Sequence, residues 1–306
     1  MATARHATNA PSLDLLESLF DYAGSYFRLR NFSEATRRGY LSDQLLFVRY
    51  LKAEHGVSRV TQVERAHVVE YLSQAERRGL GGATRARKLA ALRSLFGYLA
   101  EAGRIPASPI HGIPKPKQEL NQPRVLTTAE YARLRVVAAP DPRSRAIIEL
   151  FLQTGVRVSE VAKLTREDAA LAEDQGLPAI GSLRVHGKGR KERTITLNSR
   201  ACEALSAYLA THADVERGAP LIASKRGGRL TARSIQRLVR TLMNSAGIAG
   251  ASVHTLRHTF ATHTVRKGTN LRVVQEALGH SSLQTTSRYV SLARELMDEQ
   301  LEANAL

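Results

Sequence analysis

Between Ile105 and Pro123 the chain carries five of its ten prolines, at positions 106, 109, 114, 116 and 123, interleaved with Lys115 and Lys117. Each proline fixes φ at about −65° and removes a backbone donor, so neither a helix nor a central strand can run through the stretch. An extended connector is expected there. It divides 306 residues into two parts, each long enough to bury a core of its own. The boundaries that follow are 1–110 for a helical N-terminal domain, 111–124 for the linker and 125–306 for a second domain.

Lys and Arg number 45 against 28 Asp and Glu, a net charge of +17. The excess is shared: 18 basic against 11 acidic residues up to residue 120, and 27 against 17 beyond it. Two basic domains point to a polyanion contacted by both, most simply a duplex gripped from two sides. An arginine-rich but inert surface is the other reading. Cys202 is the only cysteine, which excludes an intramolecular disulfide and a cysteine-based zinc site. A reducing cytoplasm fits. Met1–Pro11 has Arg5 and His6 but no signal-peptide apolar run, and no stretch approaches the roughly 18 apolar residues of a membrane span.

Residues 12–104 read as about four helices. Leu13, Leu16, Leu19 and Phe20 recur at helical spacing in the first. Ser33 is placed to cap a second, which His55-Gly56 should end. Thr61 and Glu64 have capping-box spacing and open a third, and Gly79-Leu-Gly-Gly82 breaks it. The fourth, over about 83–102, has a stripe of Leu89, Leu92, Phe96 and Leu99 and crowds Arg85, Arg87, Lys88 and Arg93 into its first half. Unpaired N–H groups at a helix start, with four cations nearby, suit phosphates; a solvated basic face explains the same residues equally well.

In the second half Thr127 and Glu130 again have capping-box spacing. A buried-looking helix through Leu152 should stop at Thr154-Gly155, and Ser159-Glu160 should start the next. That leaves Arg157 in a tight turn, where a long side chain can be aimed inward or lie on the surface. Residues 182–197 read as a β-hairpin: Leu183 and Val185 alternate with polar neighbours, Gly187-Lys188-Gly189-Arg190 turns, and Thr194 to Leu197 returns. The Gly-Lys-Gly is no phosphate loop, because five residues rather than four separate Gly181 from Gly187, and Gly189 stands where Ser or Thr should follow the lysine. A turn with Lys188, Arg190, Lys191 and Arg193 suits entry into a groove instead. Helices should follow over about 199–213 and 231–246. On the second, Arg233, Arg237 and Arg240 fall at i, i+4 and i+7, a basic stripe for the major groove or for solvent.

The densest chemistry lies in His254-Thr-Leu-Arg257-His258, Leu278-Gly279-His280-Ser281 and Ser287-Arg288-Tyr289. His254 and Arg257 are three apart on an expected helix, so both can project from one turn toward a single phosphate. His254 and His258 have zinc-ligand spacing, but Thr255 stands where a zinc helix needs glutamate, and Arg257 would set a cation beside the metal. No metal is expected. Leu271 to Leu278 reads as a short amphipathic helix closed by Gly279, with His280 just past its end. Tyr289 alone would most simply be a packing residue.

Together with Thr154-Gly155-Val-Arg157-Val-Ser-Glu160, these strings resemble the tyrosine recombinases, the integrase family that includes the Xer proteins. The resemblance spans nearly the whole chain, and its motifs are specific together and weak singly. It implies a mainly α fold with a small β-sheet in the catalytic domain. It also implies a two-domain DNA clamp, with the four N-terminal helices as the core-binding domain, which favours phosphate contacts for Arg85, Arg87, Lys88 and Arg93. Arg157, Lys188, His254, Arg257, His280 and Tyr289 match the catalytic set, Tyr289 as nucleophile and Lys188 as the lysine that protonates the leaving oxygen. The segment 293–306, with Leu296, Met297, Leu301 and Leu306 on a helical pattern, matches a terminal helix that docks into a neighbouring subunit. A homo- or hetero-tetramer on synapsed double-stranded DNA with short inverted repeats is therefore expected. Tyr289 is flanked by Ser287-Arg288 and Val290-Ser291, where Xer proteins typically have Ile before it and Thr-His after. Chromosome or plasmid dimer resolution and integration or excision of a mobile element both stay open.

A phosphodiester carries charge that repels a nucleophile and grows on its equatorial oxygens in the transition state. Two guanidiniums, each donating bidentately, neutralise it without metal, which fits Arg157 and Arg257. A tyrosine hydroxyl, with a reference pKa of about 10, needs that field and a base to lose its proton. His254 is the candidate base and His280 a donor to a non-bridging oxygen. By resemblance the product is a 3′-phosphotyrosyl link, reversed onto a new strand by a free 5′-hydroxyl through a Holliday junction, and no cofactor is called for. Two other readings share the chemistry or the fold: a type IB topoisomerase, and a catalytically silent DNA-binding or architectural protein. A cytoplasmic, nucleoid-associated enzyme is expected.

Overall fold

The computed structural model describes residues 14–30, 32–117, 124–171, 180–187, 192–211, 216 and 218–279. The chain divides into two compact units, Met1–Asn121 and Gln122–Leu306.

The first unit is built from α1 (Leu15–Leu29), α2 (Glu34–His55), α3 (Arg65–Arg77) and α4 (Gly82–Glu101). Ser33 caps α2 by accepting from the Thr36 N–H, and Gly56 ends it in the left-handed region. The third helix starts later than the Thr61–Glu64 spacing predicts. Glu64 is its N-cap, with its N–H donated to Nδ1 of His67, while Thr61 lies in a 3₁₀ turn that buries Val60. Leu89, Leu92, Phe96 and Leu99 of α4 join Phe47 and Leu51 of α2 and Leu19 and Tyr22 of α1 in one core. The Tyr22 hydroxyl donates to Ser94 Oγ at 2.7 Å.

Two expectations are corrected here. Lys88, expected among the phosphate contacts, is only 6% exposed; its Nζ donates to Asp43 Oδ1 at 3.3 Å and to the Tyr71 hydroxyl at 3.1 Å. It stands four residues before Leu92 and seven before Leu95, so helical geometry turns it onto their buried face, and Asp43 neutralises it there. Secondly, Ile105, Ile110 and Ile113 are buried in this same core, so the chain is still part of the helical unit at 113. Proline forbids regular structure around them without preventing burial of the isoleucines between.

In the second unit α6 (Pro142–Thr154) is the central helix, buried from Ala146 through Leu152. Packed on it are α5 (Thr128–Ala138), α8 (Ser199–Ala210), α9 (Ala232–Ser245) and α10 (Val253–Arg266). The capping box of α5 forms as its spacing predicts: Glu130 N–H donates to Thr127 Oγ1 at 3.2 Å, and Thr127 N–H to Glu130 Oε2 at 3.0 Å. Beside α6 lies a three-stranded antiparallel sheet in the order β1 (Ala169–Ala170), β2 (Gly181–His186), β3 (Glu192–Leu197). The register of β2 on β3 runs from Gly181↔Leu197 to His186↔Glu192 and turns Leu183, Val185, Ile195 and Leu197 inward. At the C-terminal end of β2, His186 is held between Asp168 Oδ1 and Glu192 Oε1, each at 3.0 Å. Two short helices, α7 (Val158–Val161) and α11 (Leu271–Leu278), are the other α-helices among the described residues of this unit. Among the described residues no helix is long and apolar enough to cross a membrane.

Candidate active site

The eight residues of α11 are too few to hold a helix in water, and the last four carbonyls of any helix lack partners within it. Here all four are satisfied. The Gly279 N–H serves the carbonyls of Gln275 and Glu276. Nε of Arg193 donates to the Ala277 carbonyl at 2.9 Å, and Nη2 of Arg257 to that of Leu278 at 2.7 Å. One residue further, Nη2 of Arg157 donates to the Gly279 carbonyl at 2.8 Å. Three guanidiniums from three elements thus gather on the negative end of one helix.

Local sequence explains how each arrives. Gly155, at φ +62°, ends α6 and turns the chain so that Arg157 becomes the N-cap of α7. The Arg157 backbone N–H donates to Glu160 Oε2 at 2.8 Å and its Nη1 to Glu160 Oε1 at 2.9 Å, leaving the side chain 37% exposed. Arg257, on the second turn of α10, is 7% exposed; besides Leu278 it reaches the Gly155 carbonyl through Nη1 at 2.5 Å. It therefore ties the turn that carries Arg157 to the end of α11. His254 lies exposed at the start of α10, three residues before Arg257.

Sequence reasoning assigned no role to Glu160 and aimed Arg193 at a groove. The structure turns Arg193 inward instead, where Nη1 and Nη2 donate to the two carboxylate oxygens of Glu160 at 3.0 and 2.9 Å. Glu160 is 5% exposed. Burial pushes its carboxyl up, but the hydrogen bonds from Arg193 and from the Arg157 N–H outweigh this and hold it below the ordinary 4.5. One ionised carboxylate thus serves two guanidiniums. The signal for Glu160 was its place three residues after Arg157, the N3 position of a helix capped by Arg157.

The remaining candidates fall in different places. Arg233, Arg237 and Arg240 are exposed on α9, opposite the buried Ile235, Val239 and Met243, and that helix contains no acidic residue. Arg87 and Arg93 are exposed; Arg87 pairs with Asp43, and Arg93 donates to the Ile113 carbonyl. Arg85 is more enclosed, its side chain 18% exposed and paired with Glu76 at 2.5 Å. Lys188, Arg190, Lys191, His280, Tyr289 and the segment 293–306 lie outside the described residues. Among the described residues no group of His, Cys, Asp and Glu is arranged to hold a metal ion.

Residues 124–295 match the phage integrase family, and residues 20–103 match the phage integrase N-terminal SAM-like domain. The chain belongs to the phage integrase family. This integrase is 36% identical over 283 residues to tyrosine recombinase XerC of Syntrophus aciditrophicus (strain SB), across 86% of this chain and 89% of the relative. Its fold is similar to that of the XerH site-specific recombinase bound to palindromic difH substrate in a post-cleavage complex, with a TM-score of 0.72 at 23% identity over 92% of this chain and 82% of that one. It is also similar to lambda integrase solved as a tetramer bound to a Holliday junction, with a TM-score of 0.71 at 20% identity over 92% and 83% of the two chains. The mainly helical fold with its small three-stranded sheet is the fold of these recombinases. The integrase is an enzyme of site-specific DNA recombination, a reading favoured over the topoisomerase and the silent DNA-binding protein.

Proposed function

We propose that this integrase cuts and rejoins duplex DNA with Tyr289 as nucleophile and with Arg157 and Arg257 neutralising the scissile phosphate. One observation carries the reading: Arg157 and Arg257, distant in sequence, are fixed on the successive carbonyls of Gly279 and Leu278. Cations held in place before substrate arrives stabilise developing charge without reorganising at the moment of reaction. His254 accepts the tyrosine proton as the hydroxyl oxygen attacks phosphorus. The bond from phosphorus to the 5′-oxygen breaks, Lys188 protonates that oxygen, and His280 donates to a non-bridging oxygen. A 5′-hydroxyl from the partner strand reverses the step, releasing the tyrosine and closing a recombined strand.

Arg233, Arg237 and Arg240 contact the duplex from the catalytic unit, together with Arg190 and Lys191; Arg87 and Arg93 do so from the helical unit. The likeness to recombinases solved on DNA supports a multimer on synapsed sites, with segment 293–306 reaching a neighbouring subunit. The substrate is a short inverted-repeat site in double-stranded DNA, and the protein works in the cytoplasm on the nucleoid.

The test is to incubate the protein with its source genomic DNA, quench in denaturant, capture protein-linked ends and sequence them beside a Tyr289→Phe control. Ends joined through a 3′-phosphate, clustered at one inverted repeat and absent with Tyr289→Phe, are expected. Linkage that persists in the control, or that a chelator abolishes, would overturn the mechanism.

A further inference from the structure

We infer that Arg193 is a positioning residue for DNA cleavage, setting the direction in which Arg157 presents its guanidinium. The inference rests on the role proposed for Arg157. Arg157 leaves a turn at the head of a four-residue helix, and its side chain is 37% exposed, so local structure alone does little to orient it. Two acceptors fix it: Glu160 Oε1 at 2.9 Å and the Gly279 carbonyl at 2.8 Å.

Arg193 grips both. Its Nη1 shares Glu160 Oε1 with Arg157, at 3.0 Å, while its Nη2 takes Oε2 at 2.9 Å. Its guanidinium also lies against Gly279, where an added β-carbon would stand 2.9 Å from Nη1 and 3.0 Å from Cζ, and its Nε holds the Ala277 carbonyl. Glu160 is thereby kept ionised in a buried setting, and the end of α11 is kept against the hairpin. With all three nitrogens donating to protein acceptors and the side chain 17% exposed, Arg193 acts through its neighbours. Lysine, with one nitrogen, reproduces neither the fork on Glu160 nor the bond to Ala277 at the same time.

The test uses full-length protein and a nicked duplex bearing the captured site. Tyrosine displaces the 5′-oxygen and a short fragment diffuses away, so covalent complex accumulates. The scissile position carries either a phosphate or a methylphosphonate, in which a methyl group replaces one non-bridging oxygen and removes the charge that Arg157 neutralises. On phosphate, Arg193→Ala and Arg193→Lys should form covalent complex about tenfold or more slowly than the parent, with DNA binding within about twofold. On methylphosphonate the deficit should shrink to about threefold or less, as for Arg157→Ala. Arg193→Lys keeps a cation beside Glu160 and serves where the alanine variant does not fold, which melting temperatures will reveal.

An equal deficit on both substrates, with Arg157→Ala suppressed by methylphosphonate, would make Arg193 merely structural and overturn the inference alone. Parent-like cleavage of phosphate by both Arg193 variants would also overturn it. Failure of methylphosphonate to suppress Arg157→Ala would overturn the charge-neutralising role of Arg157, and this inference with it.

Discussion

A β-carbon added at Gly155 would stand 2.8 Å from Cδ2 of Leu278. It would also collide with the ring of Phe260. The last turn of α6 therefore meets α10 and α11 with only a hydrogen to spare, at a residue whose φ of +62° already disfavours any side chain. Close contact of the two turns is what lets Arg257 reach the carbonyls of Gly155 and Leu278 together.

Gly155→Ala is expected to destabilise the catalytic unit by about 2–4 kcal/mol, combining backbone strain with overpacking. Urea denaturation followed by circular dichroism measures it. A midpoint equal to that of the parent would show that the contact relaxes freely.

Arg257→Lys keeps the charge and loses the fork. One ammonium cannot serve Gly155 and Leu278 in the same geometry, so cleavage should fall roughly a hundredfold while DNA binding changes little. Single-turnover cleavage of the captured site against a gel-shift titration separates the two. Parent-like turnover would count against a preorganised Arg257.

Replacing Arg233, Arg237 and Arg240 together by Gln should weaken DNA binding and flatten the plot of log affinity against log salt by about 1–3. Lys88→Met should leave that slope unchanged, since Lys88 is buried against Asp43 and Tyr71, and should instead alter stability. Filter binding from low to moderate salt tests both, and a flatter slope with Lys88→Met would contradict its burial.

Glu130 yields a pH dependence. Hydrogen bonds from the Arg124 side chain, then from the Thr127 backbone, lower its carboxyl from 4.5 to about 2. A group depressed in the folded state contributes stability that is complete above its unfolded value and is lost as pH falls through the folded one. Melting temperature should therefore decline between pH 4.5 and about 2, and Glu130→Gln should start lower at neutral pH and decline less across that window. Parallel curves for parent and variant would place the acid sensitivity elsewhere.

Much of the fold could be read from local punctuation. Ser33, Gly56, the Thr127–Glu130 pair, Gly155 and Gly279 start or end helices because their side chains, or the lack of one, act within a few residues. The β2–β3 hairpin was legible for the same reason, its alternation setting which side chains face inward. What escaped depended on partners far along the chain. Lys88 is buried because Asp43 waits 45 residues away, and Arg193 turns inward because Glu160 lies 33 residues before it and Ala277 lies 84 after it. Charge and spacing placed Lys88 on the fourth helix and Arg193 at the hairpin turn rather than in β3, and said nothing of where a long, flexible side chain would find its acceptor. The Thr61 spacing misled differently: it matched a capping box, but burial of Val60 took the segment first.

The acceptors at the end of α11 belong to the main chain, and this shapes which changes the sequence can accept. A carbonyl at 277 or 278 is the same group whatever side chain accompanies it, so the arginines that bind it ask nothing of those identities. The constraint falls on the donors and on Gly279, whose φ of +63° disfavours any side chain and where a β-carbon would push the Arg193 guanidinium aside. Arg272, Val273 and Glu276 on the exposed side of α11 are then free to drift. The outer surface of this helix can be remade to suit new surroundings while the geometry beneath it is inherited intact.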